Sequence, residues 1–123
     1  MKFVSLIILS LLVFAGCTYS KKEVDYPTPA SCDIANVKYS TTIKPILDAS
    51  CNRCHSSGSG LGGGYVFDTY AGVKDELDNA GDELLKAIKH IGPVTPMPKD
   101  GGKLSDCEIA KIEAWINQGY PNN

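Results

Sequence analysis

The sequence predicts an all-α domain, and three observations lead to that prediction. Four segments place capping residues ahead of apolar side chains at helical spacing, which predicts about three to five helices. Glycine- and proline-rich stretches separate these segments. A cysteine and histidine pentapeptide, Cys51–His55, stands between the first two. The length of 123 residues favours a single domain.

The first two predicted helices flank this pentapeptide. Because Pro45 is tolerated only in a first turn, the first helix should begin at Ser40–Thr42 and run to Cys51. Asp68–Thr69 can cap a second helix over Tyr70–Leu77.

The last two predicted helices carry apolar stripes. Asp82 caps the third, which runs to Ile91 before Gly92 stops it. A capping box at Ser105–Glu108 opens the fourth, which ends at Gly119. The residues expected to be buried are Leu84, Ile88 and Ile91 on the third helix and Ile109, Ile112 and Ile116 beside Trp115 on the fourth. The acidic residues Asp75, Glu76, Asp78, Asp82 and Glu83 are predicted to form a solvated surface.

The pentapeptide has the form C-x-x-C-H, which is typical of covalent haem attachment. Cys51 and Cys54 can each add a sulfur to one haem vinyl group, and His55 can bind the iron as proximal ligand. The alternatives are half of a zinc site, a redox cysteine pair, or chance. A zinc site needs further close ligands and a thioredoxin-like site needs a βαβ context, and the sequence offers neither. We therefore expect one covalently bound haem c.

The stretch that follows, Ser56–Gly64, contains five glycines and three serines. It lacks the Gly-Lys-Ser/Thr ending of a phosphate-binding loop. We expect a flexible loop that passes close to the haem edge, because glycine allows close backbone approach.

Met97 is the expected distal iron ligand. Of the two methionines it is the one left after loss of Met1, and it lies between Pro96 and Pro98, off every apolar stripe. The alternatives are a methionine that only packs, and His90 as the ligand instead. On the third predicted helix, however, His90 lies away from the Ile88 face.

Residues 1–16 are predicted to be a lipoprotein-type signal peptide, because Lys2 precedes an apolar run and Phe14-Ala15-Gly16-Cys17 resembles a bacterial lipobox. Cleavage would leave Cys17 for lipidation, followed by a flexible tether over residues 17–31 and a haem domain over residues 32–123. An ordinary signal peptide is the alternative, and the run is shorter than the roughly 20 residues of a membrane span. We expect an exported domain, lipid-anchored to a membrane on its periplasmic or cell-surface side.

Charge and the remaining cysteines constrain the domain further. Removing Lys2 from the 12 basic residues leaves 11 against 14 acidic ones, a net charge of −3, which does not suggest a nucleic-acid binder.

Cys32 and Cys107 are expected to form a disulfide in an oxidising compartment. It would close a loop of about 75 residues and contribute about 4 kcal/mol. The alternative is two unpaired cysteines, with Cys107 reactive near a helix N-terminus.

With these features in view, residues 38–119 resemble a small class I bacterial cytochrome c. The resemblance rests on the C-x-x-C-H motif, on Pro96-Met97-Pro98, and on the run from Leu104 to Ile109 followed by Ala114-Trp115-Ile116. It implies an all-α cytochrome c-like fold packed around one covalently bound haem, in which the first and last helices cross. Ile43, Ile46 and Leu47 should then meet Ile112, Trp115 and Ile116. The Cys32 and Cys107 pair and the long glycine loop are not general features of that family.

The expected function is electron transfer without catalysis, by a membrane-tethered monomer with His55 and Met97 as axial ligands, between unidentified redox partner proteins. A thioether favours the reduced iron, and two filled axial positions exclude small molecules. The alternatives are a haem-based gas or redox sensor with a labile Met97, and a small peroxidase. Four lysines lie near the loop of residues 92–104 that carries Met97, called here the ligand loop; they are Lys86, Lys89, Lys99 and Lys103. They form either a docking patch for redox partners or an ordinary surface.

Overall fold

The computed structural model describes residues 32–123, in which four α-helices and no strand are present. A π-helical turn, Tyr39–Ile43, leads directly into α1, Lys44–Ser50. The other helices are α2, Tyr70–Ala80, α3, Glu83–Lys89, and α4, Asp106–Asn117. The predicted all-α fold is confirmed. The predicted signal peptide, Cys17 and the tether lie outside the described residues, within which no helix is long and apolar enough to cross a membrane.

The first turn begins at Tyr39, just ahead of the predicted start, and is wider than an α-helical turn. The N–H groups of Thr42 and Ile43 both donate to the carbonyl oxygen of Lys38, at 3.0 and 3.1 Å. The free N–H groups at the start of the turn are satisfied by the C-terminal residue, Asn123. Its side-chain oxygen accepts from Tyr39 at 2.8 Å, and its backbone oxygen accepts from Ser40 at 2.9 Å. The chain terminus thus caps the first helix.

The second helix starts as predicted and runs three residues further. The Thr69 hydroxyl accepts the Gly72 N–H at 3.1 Å, and Gly81, at φ 62°, ends the helix after Ala80. Gly72 also allows a close approach, because a Cβ placed there would lie 2.1 Å from the carbonyl oxygen of Val66.

The third helix begins after Asp82 as predicted, but it ends earlier than predicted. It stops at Lys89, because His90 adopts the left-handed conformation at φ 58°. Ile91, which was expected to be buried with Leu84 and Ile88, is therefore 50% exposed. Asp82 makes no capping hydrogen bond; its carboxylate instead lies 2.8 Å from the ammonium group of Lys86.

The predicted capping box of the last helix is confirmed. The Ser105 hydroxyl accepts the Glu108 N–H at 3.2 Å, and the Glu108 carboxylate accepts the Ser105 N–H at 2.9 Å. Trp115 is buried together with Ile109 and Ile112. Ile116, expected on the same stripe, is only half-buried.

The first and last helical segments pack together in one hydrophobic core. The π-helical turn contacts α4, and the rings of Tyr39 and Trp115 lie 5.5 Å apart. The expected core residues of both segments share this cluster; they are Ile43, Ile46, Leu47, Ile112 and Trp115. The indole N–H of Trp115 donates to the carbonyl oxygen of Pro121 at 3.0 Å, so the buried ring keeps a hydrogen-bond partner.

A disulfide joins Cys32 to Cys107 in the structure, with the sulfur atoms 2.02 Å apart. It links the segment that enters the domain to the first turn of α4. The bond spans a sequence separation of 75 residues and so constrains most of the described chain.

Candidate haem site

The C-x-x-C-H pentapeptide continues directly from the end of α1. The Cys51 N–H donates to the carbonyl oxygen of Leu47 at 2.8 Å, as in a helix. The N–H groups of Cys54 and His55 then both donate to the Cys51 carbonyl oxygen, at 3.0 and 2.9 Å. This turn brings both thiols and the imidazole to the wall of the same cavity.

The cavity has a volume of about 690 Å³, a size typical of cofactor pockets. Met97, from a loop distant in sequence, lines it together with Cys51, Cys54 and His55. Much of the remaining wall is apolar or aromatic and is formed by Leu61, Tyr65, Phe67, Leu84, Ile88 and Leu104. Two thiols, an imidazole and a thioether in an apolar cavity form a donor set that suits a covalently attached haem.

The imidazole of His55 is held on several sides. Its Nδ1 lies 3.3 Å from the carbonyl oxygen of Tyr65, and because that oxygen can only accept, Nδ1 carries the hydrogen. Nε2 is then the nitrogen left to bind iron. The ring of Phe67 stacks on the imidazole at a centroid distance of 4.9 Å, and the Phe67 N–H donates to the His55 carbonyl oxygen at 2.7 Å.

Gly62 completes the set of groups that surround the His55 ring, which also includes Tyr65 and Phe67 and is called here the seat of His55. A Cβ at this position would lie 2.8 Å from the carbonyl oxygens of Cys54 and Tyr65, and 2.9 Å from Nδ1 of His55. Only glycine leaves room for these groups without displacement. The glycine-rich loop is predicted to approach the haem edge closely; in the structure, Gly62 of this loop lies against His55.

The loop is also fastened at its ends. The Asp68 carboxylate accepts hydrogen bonds from the backbone N–H and the hydroxyl of Ser57, both at 2.9 Å. These two bonds hold the pKa of the Asp68 carboxyl below its usual value. The segment from Ser57 to Asp68 is thereby closed into a loop around His55.

Cys51 and Cys54 are not joined to any other cysteine of the described chain. Burial raises the pKa of Cys51 to about 11, because the apolar surroundings disfavour the thiolate. The site therefore presents a neutral Cys51 thiol at neutral pH, with Cys54 three residues away.

The two candidates for the distal ligand occupy different positions. Met97 is half-buried and lines the cavity. His90 is exposed and is not among the cavity-lining residues. Its Nε2 lies 2.9 Å from the carbonyl oxygen of Met97.

The acidic surface differs from its prediction at Glu76, whereas Glu83 is exposed as expected. Glu76 and Glu83 line the cavity, and Glu76 is half-buried. Desolvation raises the pKa of Glu76, and the nearby charges of Glu83 and Asp75 raise it further. These residues are therefore part of the site's electrostatics and not only a solvated surface.

Three of the four lysines near the ligand loop are paired with acids. Lys86 pairs with Asp82, Lys89 lies 2.6 Å from Glu113, and Lys103 lies 3.7 Å from Asp106. Their positive charge is thus partly neutralised within the domain. At the cavity, Leu61 is 75% exposed and Tyr65 is 45% exposed.

Comparison with known proteins agrees with this geometry. A sequence model of the family described as Cytochrome C oxidase, cbb3-type, subunit III, matches residues 41–116, a range that holds the C-x-x-C-H motif and Met97. The chain belongs to this family of c-type cytochromes. Searches among curated proteins and among solved structures each found no match.

The cytochrome therefore carries out haem-based electron transfer, and haem c is the cofactor that its family implies. The predicted resemblance to a small monohaem c-type cytochrome is confirmed. Sequence reasoning did not single out Gly62, Tyr65 or Phe67. Glycine enrichment was a signal for the first, whereas the contribution of Tyr65 is a backbone carbonyl that any residue possesses.

Substitution of Gly62 tests the seat of His55. We expect Gly62→Ala to lower the free energy of unfolding of the haem-loaded cytochrome by about 1–3 kcal/mol, because the added methyl group overpacks the seat. Denaturant unfolding followed by haem absorbance measures this change. Gly58→Ala is the matched control, since a Cβ at Gly58 meets nothing within 4 Å. Equal unfolding midpoints for the two variants would contradict the proposed seat.

Proposed function

We propose that this cytochrome is a one-electron carrier in which a single haem is attached through Cys51 and Cys54, with its iron bound by His55 and Met97. One observation carries the proposal: both thiols, the imidazole and the thioether line the same cavity. Met97 reaches it from a separate loop, so the shared wall is a product of the fold. The electrons pass between redox proteins outside the cytoplasm.

The residues of the chain determine how such a site behaves. A bound haem supplies a one-electron couple at its iron. Tyr65 orients His55 through Nδ1, which leaves Nε2 available to bind the iron. The thioether of Met97 is a soft ligand, so it favours the reduced state. With both His55 and Met97 bound to it, the iron would have little affinity for oxygen or peroxide, which would separate a carrier from a sensor or a peroxidase.

Replacing Met97 tests the axial assignment. We expect Met97→Ala to abolish the weak far-red absorption of an iron–thioether bond and to lower the reduction potential by on the order of 100 mV, because a soft ligand is lost. The reduced variant should also bind carbon monoxide stoichiometrically. Absorption spectra, a redox titration and carbon monoxide titration measure these changes.

Val94→Ala is the matched control, because Val94 lines the same cavity from the same loop and has no ligating atom. It should keep the spectrum and the ligand binding of the parent protein. An unchanged spectrum in Met97→Ala would place the sixth ligand elsewhere. Rapid stoichiometric carbon monoxide binding by the parent protein at neutral pH would favour a gas sensor.

We further propose that residues 1–16 are a signal peptide, that Cys17 is lipidated, and that residues 17–31 tether the haem domain of residues 32–123 to a membrane. The lipobox-like Phe14-Ala15-Gly16-Cys17 and the proline-containing polar stretch after it support this arrangement. A tether of this kind would hold the domain near membrane-bound redox partners and raise their effective concentration.

Metabolic labelling tests the anchor. We expect a labelled fatty acid to be incorporated into the parent protein and into Thr18→Ala, and to be lost completely from Cys17→Ser, because the thiol is the acceptor. Label retained by Cys17→Ser, or absent from the parent protein, would show that Cys17 carries no lipid.

A further inference from the structure

The backbone of Met97 is held at two points by the end of α3. Its N–H donates to the carbonyl oxygen of Ala87 at 3.0 Å. Its own carbonyl oxygen lies 2.9 Å from Nε2 of His90. Because a carbonyl oxygen can only accept, Nε2 of His90 is the donor. Both the backbone N–H and the backbone carbonyl of Met97 are therefore hydrogen-bonded to residues at the end of α3, Ala87 and His90.

The conformation of His90 explains how this turn reaches the loop. His90 ends α3 in the left-handed region at φ 58°, with its N–H donated to the carbonyl oxygen of Ala87 at 3.2 Å. Ile91 N–H then donates to Lys86 at 3.0 Å, which closes the helix end. The same Ala87 oxygen thus accepts from both His90 and Met97. Ala87 and Ile88 also line the cavity, so the helix that anchors the loop is part of the cavity wall.

We propose that His90 is a positioning residue for Met97, holding the methionine loop so that the thioether stays on the iron; this rests on the ligation proposed above. A thioether is neutral and binds iron through one sulfur atom, so its occupancy depends on how well its loop is held in place. His90 itself is exposed and outside the cavity wall, so it acts on Met97 through the backbone and is not a competing ligand.

When the loop is less firmly held, Met97 leaves the iron more often and an added ligand competes better. The apparent affinity for that ligand rises in proportion to the fraction of molecules whose sixth position is open. Imidazole added to the oxidised protein is a suitable probe of this fraction. Loss of one hydrogen bond should change its apparent affinity by about two- to tenfold.

Two substitutions distinguish the hydrogen bond made by the His90 side chain from the left-handed backbone conformation with which His90 ends α3. Asparagine tolerates the left-handed conformation as histidine does, but its side chain is too short to replace Nε2. Glutamine places an amide N–H close to the position of Nε2. We expect His90→Asn to raise the apparent imidazole affinity about two- to tenfold and to weaken the far-red band, and His90→Gln to restore both.

A residue that serves only to end the helix would give a different pattern. His90→Asn would then match the parent protein in imidazole affinity and far-red absorbance, and that result would overturn the proposal. His90→Gln behaving like His90→Asn would also overturn it, because a restored donor would have no effect.

Making the His90 substitution in a Met97→Ala protein shows whether the proposed role of His90 fails or the proposed iron ligation by Met97 fails. In a Met97→Ala protein, adding His90→Asn should leave the imidazole affinity unchanged, because no thioether remains to be positioned. If Met97→Ala keeps the far-red band, the ligation is wrong and the role of His90 falls with it. If Met97→Ala loses the band but His90→Asn alters nothing in the parent protein, only the role of His90 is wrong.

Discussion

The cavity beside the C-x-x-C-H pentapeptide is the constraint on which the rest of the structure depends. Its wall includes the end of α1, part of α2 and α3, and the loop ahead of α4. A domain of this size buries little apolar surface by itself. A haem packed against Leu84, Ile88 and Leu104 would bury additional apolar surface. This burial would stabilise the folded domain by about 25 cal/mol for each Å² removed from water. The helices are therefore arranged around a cofactor as much as around each other.

Two loops position the two candidate iron ligands, His55 and Met97. The glycine-rich loop holds His55, with Gly62 leaving the space and Tyr65 providing the carbonyl oxygen that orients the ring. The second loop brings Met97, and its backbone is fastened to the end of α3 at Ala87 and His90. In both cases the position of the candidate ligand depends on a hydrogen bond to a backbone carbonyl oxygen, that of Tyr65 for His55 and that of Met97 itself for Met97. These hydrogen bonds fix the positions of the two side chains. How strongly each would bind a metal depends on the imidazole and the thioether themselves.

Local signals explain which features could be predicted from the sequence. The Ser105 capping box and the Thr69 cap depend on residues close together in the chain, so both were predicted from the sequence. The end of α3 was not, because the left-handed turn at His90 goes with a hydrogen bond to Met97 from another loop. Glu76 was likewise assigned to the solvated surface, although packing brings it to the cavity. Tyr65 contributes a backbone atom, for which no sequence signal exists.

If haem organises the fold, the domain should not fold stably without its haem attachment. Cys51→Ser combined with Cys54→Ser removes both thiols through which haem would be attached, and leaves the helix caps, the disulfide and the remaining core side chains in place. Far-ultraviolet circular dichroism during thermal unfolding is the measurement. We expect a weakly helical protein with no cooperative transition. A helical apo-domain that unfolds cooperatively, as the haem-loaded protein does, would contradict the claim that haem organises the fold.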